Sequence, residues 1–160
     1  SSFTHAPGDL ARDPMSHPPS LSSVALEDAS VAQHLLTTNP ILAEKIATAL
    51  RCSLSETPRA LHEVLRFLFL SYQHGRPLTP SHVIDLAWHE WILFTRAYTQ
   101  FCQAQFGRYM HHTPGGRTEE NLERYQLTLQ LYEARFGTPD PNFWPPVSSD
   151  CGACETLKPT

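Results

Sequence analysis

A helical fold is indicated most clearly by residues 81–116, SHVIDLAWHEWILFTRAYTQFCQAQFGRYMHHTPGG. When this segment is drawn as a helix, apolar side chains cover most of its circumference, and a helix that is apolar on nearly all sides is buried. The segment LHEVLRFLFLSY, residues 61–72, has the same character. The two segments are therefore predicted to be central helices of one hydrophobic core.

Prolines and glycines divide the rest of the chain into pieces of helical length. Pro40, Pro58 and Pro80 each follow Asn or Thr, as at a helix start, whereas Gly75 and Gly107 close segments as C-caps do. No alternating apolar pattern favours β-strands. The predicted fold class is all-α, a single compact bundle of about five helices. Their predicted ranges are 24–37, 40–52, 58–73, 80–106 and 118–136.

The two ends of the chain differ in composition from this helical domain, which is predicted to span residues 24–146. Residues 1–23 are rich in Ser, Pro and His, and they predict a flexible N-terminal arm. Within the arm, residues 1–14 precede Met15, so they could be a segment added for expression. Residues 147–160 are predicted to form an extended polar tail that contains cysteines.

Composition and charge restrict the classes of partner and location. The formal net charge is −4, and no basic run predicts a nucleic-acid surface. No stretch approaches the length of a membrane helix, which needs about 20 consecutive apolar residues, and nothing at the N-terminus resembles a signal peptide.

Of the 4 cysteines, only Cys151 and Cys154 form a CxxC. This pattern favours a reducing compartment, and the expected location is therefore the cytoplasm. The CxxC pair is half of a zinc site, a redox dithiol or without function.

The predicted helix 80–106 carries a stripe of polar residues. At about 100° per residue, Asp85, His89, Arg96 and Thr99 fall on one face. If the helix is buried, this stripe must be satisfied by hydrogen bonds, by an opposite charge or by a metal ion. The i, i+4 spacing brings Asp85 and His89 within about 6 Å, close enough to bind one metal ion or each other.

The side chains that could complete a metal site follow this helix in sequence. His111 and His112 are adjacent and precede a turn predicted at residues 114–116. Adjacent loop histidines usually point in different directions, so we expect one of them to reach an ion rather than both. Together with Asp85 and His89, they form a two-histidine, one-carboxylate set, which suits non-haem iron(II), or zinc with a bound water.

Two functions follow from these residues. The leading hypothesis is a metal-binding domain that uses Asp85, His89 and one or both of His111 and His112. If it is an enzyme, iron or zinc would activate water or dioxygen, and Arg96 would hold an anionic substrate group. The alternative is a non-enzymatic protein-interaction domain, in which the Asp/His/Arg stripe is a buried structural network. A third interpretation makes the CxxC tail a metal or thiol relay.

The same stretch resembles the signature of the glycine-rich domain-containing protein-like family. The matching residues are Asp85, Trp88 and His89, then Tyr98 and Cys102, then Gly107 with His111 and His112. Trp91 stands where plant members of the family often carry a second histidine, in Trp-His-x-His. Tyr98 and Cys102 are expected near the metal ligands only if the helix bends. The resemblance implies a helical domain of largely uncharacterised biochemistry and supplies no substrate.

Overall fold

The computed structural model describes residues 24–113 and 118–147. In these ranges the chain forms α-helices and short 3₁₀ helices and contains no strand, so the predicted all-α bundle is confirmed. The α-helices are α1 (Ser30–Thr38), α2 (Pro40–Leu50), α3 (Thr57–His74), α4 (His82–Ile92), α5 (Thr95–Phe106) and α6 (Thr118–Phe136), and the 3₁₀ helices are Val24–Leu26 and Leu54–Glu56. The predicted N-terminal arm, the turn at 114–116 and the CxxC pair lie outside the described residues.

The helix ends follow the local signals in the sequence. α2 begins at Pro40, and Pro58 is the second residue of α3. At the other ends of α3 and α5, Gly75 and Gly107 adopt left-handed backbone with φ of 75° and 68°. Glycine takes this conformation without a Cβ clash, and its N–H bonds back to a carbonyl of the last turn. The chain therefore leaves both helices at defined points.

α3 is the central helix of the bundle. Most of its side chains are buried, including Leu61, Leu65 and Phe67, and the helix contacts α1, α2, α4 and α6. A helix that is apolar nearly all round is stable only when other elements cover every side of it. In the part of the chain that the structure describes, no helix is both long and apolar enough to cross a membrane.

A buried ion pair ties distant parts of the chain to α3. The Glu63 carboxylate accepts hydrogen bonds from Tyr132 Oη at 2.6 Å and from Trp144 Nε1 at 2.8 Å. Arg66 lies 3.5 Å from Glu63 and donates to the Leu26 carbonyl and to Tyr132 Oη. This network joins the first 3₁₀ helix, α6 and the C-terminal segment to one face of α3.

The prediction of one continuous helix over residues 80–106 is wrong, because the backbone leaves the helical conformation at Phe94, with ψ of 65°. The break lets α5 fold back, so that the Trp91 ring packs edge-on against Tyr98 and Phe101 with centroid distances of 4.9 Å. A straight helix would separate Trp91 and Tyr98 by about 10 Å along its axis. The ring contacts of Trp91 therefore hold α5 against α4.

The break also overturns the expectation of a buried polar stripe. His89, Arg96 and Thr99 are exposed, and Asp85 is only half-buried. Arg96 and Thr99 lie on α5 beyond the break, so they do not continue the face of α4 that carries Asp85 and His89. The apolar side of α4 packs into the core, whereas its polar side stays in contact with solvent.

Candidate functional site

A cleft of about 690 Å³ lies where α3, α4 and α6 meet the connection from α3 to α4 and the segment after α5. Small-molecule sites commonly have volumes in this range and a largely apolar lining with a few polar groups. The buried apolar residues that line the cleft are Phe67, Leu68, Leu78, Trp88 and Met110. We refer to this feature as the cleft.

The polar wall of the cleft contains a direct contact between Asp85 and His112. Asp85 lies in the first turn of α4, and its Oδ1 is 2.5 Å from Nε2 of His112, which follows α5. The His112 side chain is 11% exposed and that of Asp85 is 41% exposed. Since Nε2 faces a carboxylate, it carries the proton of the neutral ring, and Nδ1 is then the nitrogen with the free lone pair.

A buried hydrogen-bond chain positions the segment that carries His112. Tyr98 Oη accepts a hydrogen bond from Trp88 Nε1 at 3.0 Å and donates one to the Met110 carbonyl at 2.5 Å. Burial raises the pKa of the Tyr98 hydroxyl, so that it stays protonated and able to donate. The His112 ring packs edge-on against Trp88, with centroids 4.5 Å apart. On a straight helix, Trp88 and Tyr98 would be about 15 Å apart along the axis. Their hydrogen bond therefore requires the break before α5.

The other predicted ligands lie near this pair without completing a metal site. His89 is exposed, and its ring centroid is 5.9 Å from that of His112. His111 is exposed and packs edge-on against Tyr109, with centroids 4.6 Å apart. In the described part of the chain, no group of three or more His, Cys, Asp or Glu side chains is arranged to hold a metal ion. The structure thus joins Asp85 to His112 and leaves the other two histidines as neighbours.

Cys102 lies on α5, one turn after Tyr98, and it is buried with a free thiol. Burial raises the pKa of this thiol, which keeps it neutral and weakly nucleophilic. Cys102 is not part of the cleft lining. Of the two residues that a bend was expected to bring near the site, Tyr98 therefore supports it directly, and Cys102 contacts Tyr98 and the Met110 backbone without lining the cleft.

Three arginines that line the cleft were missed by sequence reasoning. Arg76 and Arg108 each follow a glycine that ends a helix, and Arg124 lies on α6. By contrast Arg96, the predicted contact for a substrate anion, does not line the cleft. The three residues come from separate elements, so no local spacing relates them. The only shared signal in the sequence is the Gly-Arg pair that follows both α3 and α5.

A comparison with protein-family models finds a match to the family described as UCP032817-like, over residues 31–132. This range covers more than half of the 160 residues and contains the cleft residues discussed above. No curated protein and no solved structure matches the chain. The family description names no substrate, cofactor or reaction. On this match, the chain belongs to the UCP032817-like family.

Proposed function

We propose that this chain is a metal-binding helical domain that holds one divalent ion, iron or zinc, at the edge of the cleft through Asp85 and His112, with His89, which lies outside the cleft lining, as the third ligand. The observation that carries the proposal is the contact between the Asp85 carboxylate and the His112 imidazole on the cleft wall. Carboxylate oxygen and imidazole nitrogen are ligands for both zinc and non-haem iron(II). For an ion to bind both atoms, the His112 ring would take its other tautomer, with the proton on Nδ1 and the lone pair on Nε2, and two coordinate bonds would replace the hydrogen bond.

A rotation of the His89 side chain would complete the ligand set. Two imidazoles on one zinc ion, each bound at about 2.1 Å, place their ring centroids about 5 Å apart. The corresponding distance between His89 and His112 is 5.9 Å. His89 is exposed and lies one turn after Asp85 on α4, so a change of rotamer on that face meets little packing.

Three protein ligands leave coordination positions open, where a bound ion supplies a Lewis acid or an activated water. Two residues position His112: Tyr98 holds the segment that carries it, and Trp88 supports its imidazole ring.

We also propose a small-molecule rather than a nucleic-acid partner, because the cleft has the volume of a small-molecule site. We further propose a cytoplasmic location, because the pattern of cysteines in the sequence favours a reducing compartment.

A structural role of the same pair is the second candidate. The direct hydrogen bond between Asp85 and His112 favours it, because this contact fastens the segment after α5 to α4 without any metal. In that case the domain is a non-enzymatic interaction module, and the pair contributes to stability only. The two candidates differ in whether the wild-type protein contains a metal ion.

Elemental analysis of protein purified without added metal tests the proposal. We expect stoichiometric iron or zinc in the wild type and loss of the metal in Asp85→Ala and in His112→Ala. His34→Ala is the matched control, since it removes an exposed histidine on α1 outside the cleft. This variant should retain the wild-type metal content.

Circular dichroism of the same variants separates the two candidates. A wild type without metal, combined with a lower melting temperature in His112→Ala, would contradict metal binding and support the structural role. Full metal content in a folded His112→Ala variant would also exclude the proposed site.

A further inference from the structure

We propose that the cleft binds a small organic oxyanion, a phosphate or carboxylate that carries an apolar group, through Arg76, Arg108 and Arg124. This inference does not rest on the metal proposal, because guanidinium groups bind oxyanions without an ion. It assigns a ligand class to the cleft, whereas the metal proposal concerns only the wall that carries Asp85 and His112.

The charge of the cleft differs in sign from that of the chain. Its lining contains three arginines and a single carboxylate, Asp85, which is already engaged by His112. Neither Arg76 nor Arg124 forms an ion pair with a described residue. The chain as a whole has a net charge of −4, so the excess of positive charge is local. Unpaired cations in a concave site attract anions and raise their local concentration.

The fold holds the elements that carry the arginines in fixed relation. Gly75 and Gly107 end α3 and α5 in left-handed conformation, and the residue after each of them lines the cleft. One turn after Arg124 on α6, Thr128 Oγ1 donates to the Thr79 carbonyl at 2.8 Å, which secures α6 against the connection from α3 to α4. A site whose walls are already in place loses less entropy when a ligand binds.

Compensation of helix dipoles explains only part of this arrangement. Arg76 and Arg108 follow the C-termini of α3 and α5, where a cation is favourable in any protein. Arg124 lies in the first half of α6, so its place in the cleft is not explained by a helix C-terminus. The Arg108 guanidinium also lies over the ring of Tyr72, 5.9 Å from its centroid, a contact through the guanidinium face that leaves the N–H edge for an anion. With that geometry, a role in anion binding accounts for all three.

The chemistry of the lining indicates the kind of anion. The planar guanidinium group of arginine forms paired hydrogen bonds with carboxylate and phosphate oxygens. The lining also contains Phe67, Trp88 and Met110, which are buried and apolar. A ligand that combines an oxyanion with an apolar body satisfies both parts of the lining.

Isothermal titration calorimetry with phenyl phosphate and with benzoate tests the inference, in low-salt buffer containing a chelator. We expect saturable binding of at least one of them, and the tighter ligand identifies the oxyanion class. Arg76→Ala and Arg124→Ala should each weaken binding about tenfold, which corresponds to about 1.4 kcal/mol. Raising the ionic strength should weaken it further.

Two controls make the experiment specific. Benzyl alcohol, which has the apolar body without the charge, should not bind. Arg96→Ala removes an exposed arginine on α5 that does not line the cleft, and it should bind as the wild type does. Absence of saturable binding, unchanged affinity in the Arg76→Ala/Arg124→Ala double variant, or an equal loss in Arg96→Ala would overturn the inference. Metal content is measured separately, so failure of one proposal leaves the other standing.

Discussion

Tyr98 is the single residue on which the geometry of the His112 segment depends most. Its hydroxyl connects Trp88 on α4 to the Met110 carbonyl, two residues before His112. Because both partners are buried, they have no water to replace a lost hydrogen bond. The position of His112 beside Asp85 therefore relies on a group that is neither a metal ligand nor a titrating residue at neutral pH.

Replacing Tyr98 by Phe should lower the free energy of unfolding by about 1–3 kcal/mol, since it leaves the Trp88 N–H and the Met110 carbonyl unsatisfied. Urea denaturation measures this change. Tyr109→Phe is the control, because the hydroxyl of Tyr109 has no hydrogen-bond partner among the described residues. Equal destabilisation in both variants would argue against a special role for the Tyr98 hydroxyl.

His62 makes the stability of the domain dependent on pH. The residue is 6% exposed, its Nδ1 has no hydrogen-bond partner, and burial together with the nearby Arg66 charge lowers its pKa from 6.5 to about 4. The folded state keeps the imidazole neutral, whereas the unfolded chain takes up a proton below pH 6.5. The unfolded state thus binds more protons between these two pKa values, and stability falls as the pH decreases through this window.

At pH 5 the His62 contribution should reduce the free energy of unfolding by about 2 kcal/mol relative to pH 7, because one pKa unit corresponds to about 1.4 kcal/mol. Denaturation of the wild type and of His62→Gln at several pH values measures the effect. The difference between the two proteins should decrease from pH 7 to pH 5. A difference that is constant over this range would contradict the assignment.

At the scale of secondary-structure elements, the sequence predicts what is local. Proline and glycine signals place the start of α2 at Pro40 and the end of α3 before Gly75, because both effects act within one helical turn. The break at Phe94 has no such signal, since neither proline nor glycine is near it. It depends on Trp91 packing against Tyr98, a contact that exists only in the folded protein.

The Glu63 network links elements that are far apart in sequence. Glu63→Ala removes the acceptor of two buried donors and leaves Arg66 without its carboxylate. Loss of one partner of a buried pair costs about 3–5 kcal/mol. Chemical denaturation should show this loss.

Glu133→Ala provides the comparison for that experiment. Glu133 is exposed on α6, and its replacement should change stability by no more than about 0.5 kcal/mol. Similar stability of the Glu63→Ala and Glu133→Ala variants would show that the network does not hold α6 against α3.

At the scale of the whole molecule, the cleft is a property of the folded chain that the sequence predicts only in part. Asp85 and His112 could be chosen as candidates because both belong to one chemically unusual stretch. The arginines could not, because Arg76, Arg108 and Arg124 are brought together by three separate elements. Helical periodicity is local and predicts the fold class, whereas a binding site depends on tertiary packing.

The ligand set of the proposed metal site can be observed directly by NMR spectroscopy of protein with ¹⁵N-labelled histidine during a zinc titration. We predict that imidazole nitrogens of His89 and His112 shift together and stop shifting at one zinc ion per chain, while His34 on α1 does not change. Unchanged His112 signals, or equal shifts of exposed histidines such as His34, would contradict the proposed ligand set.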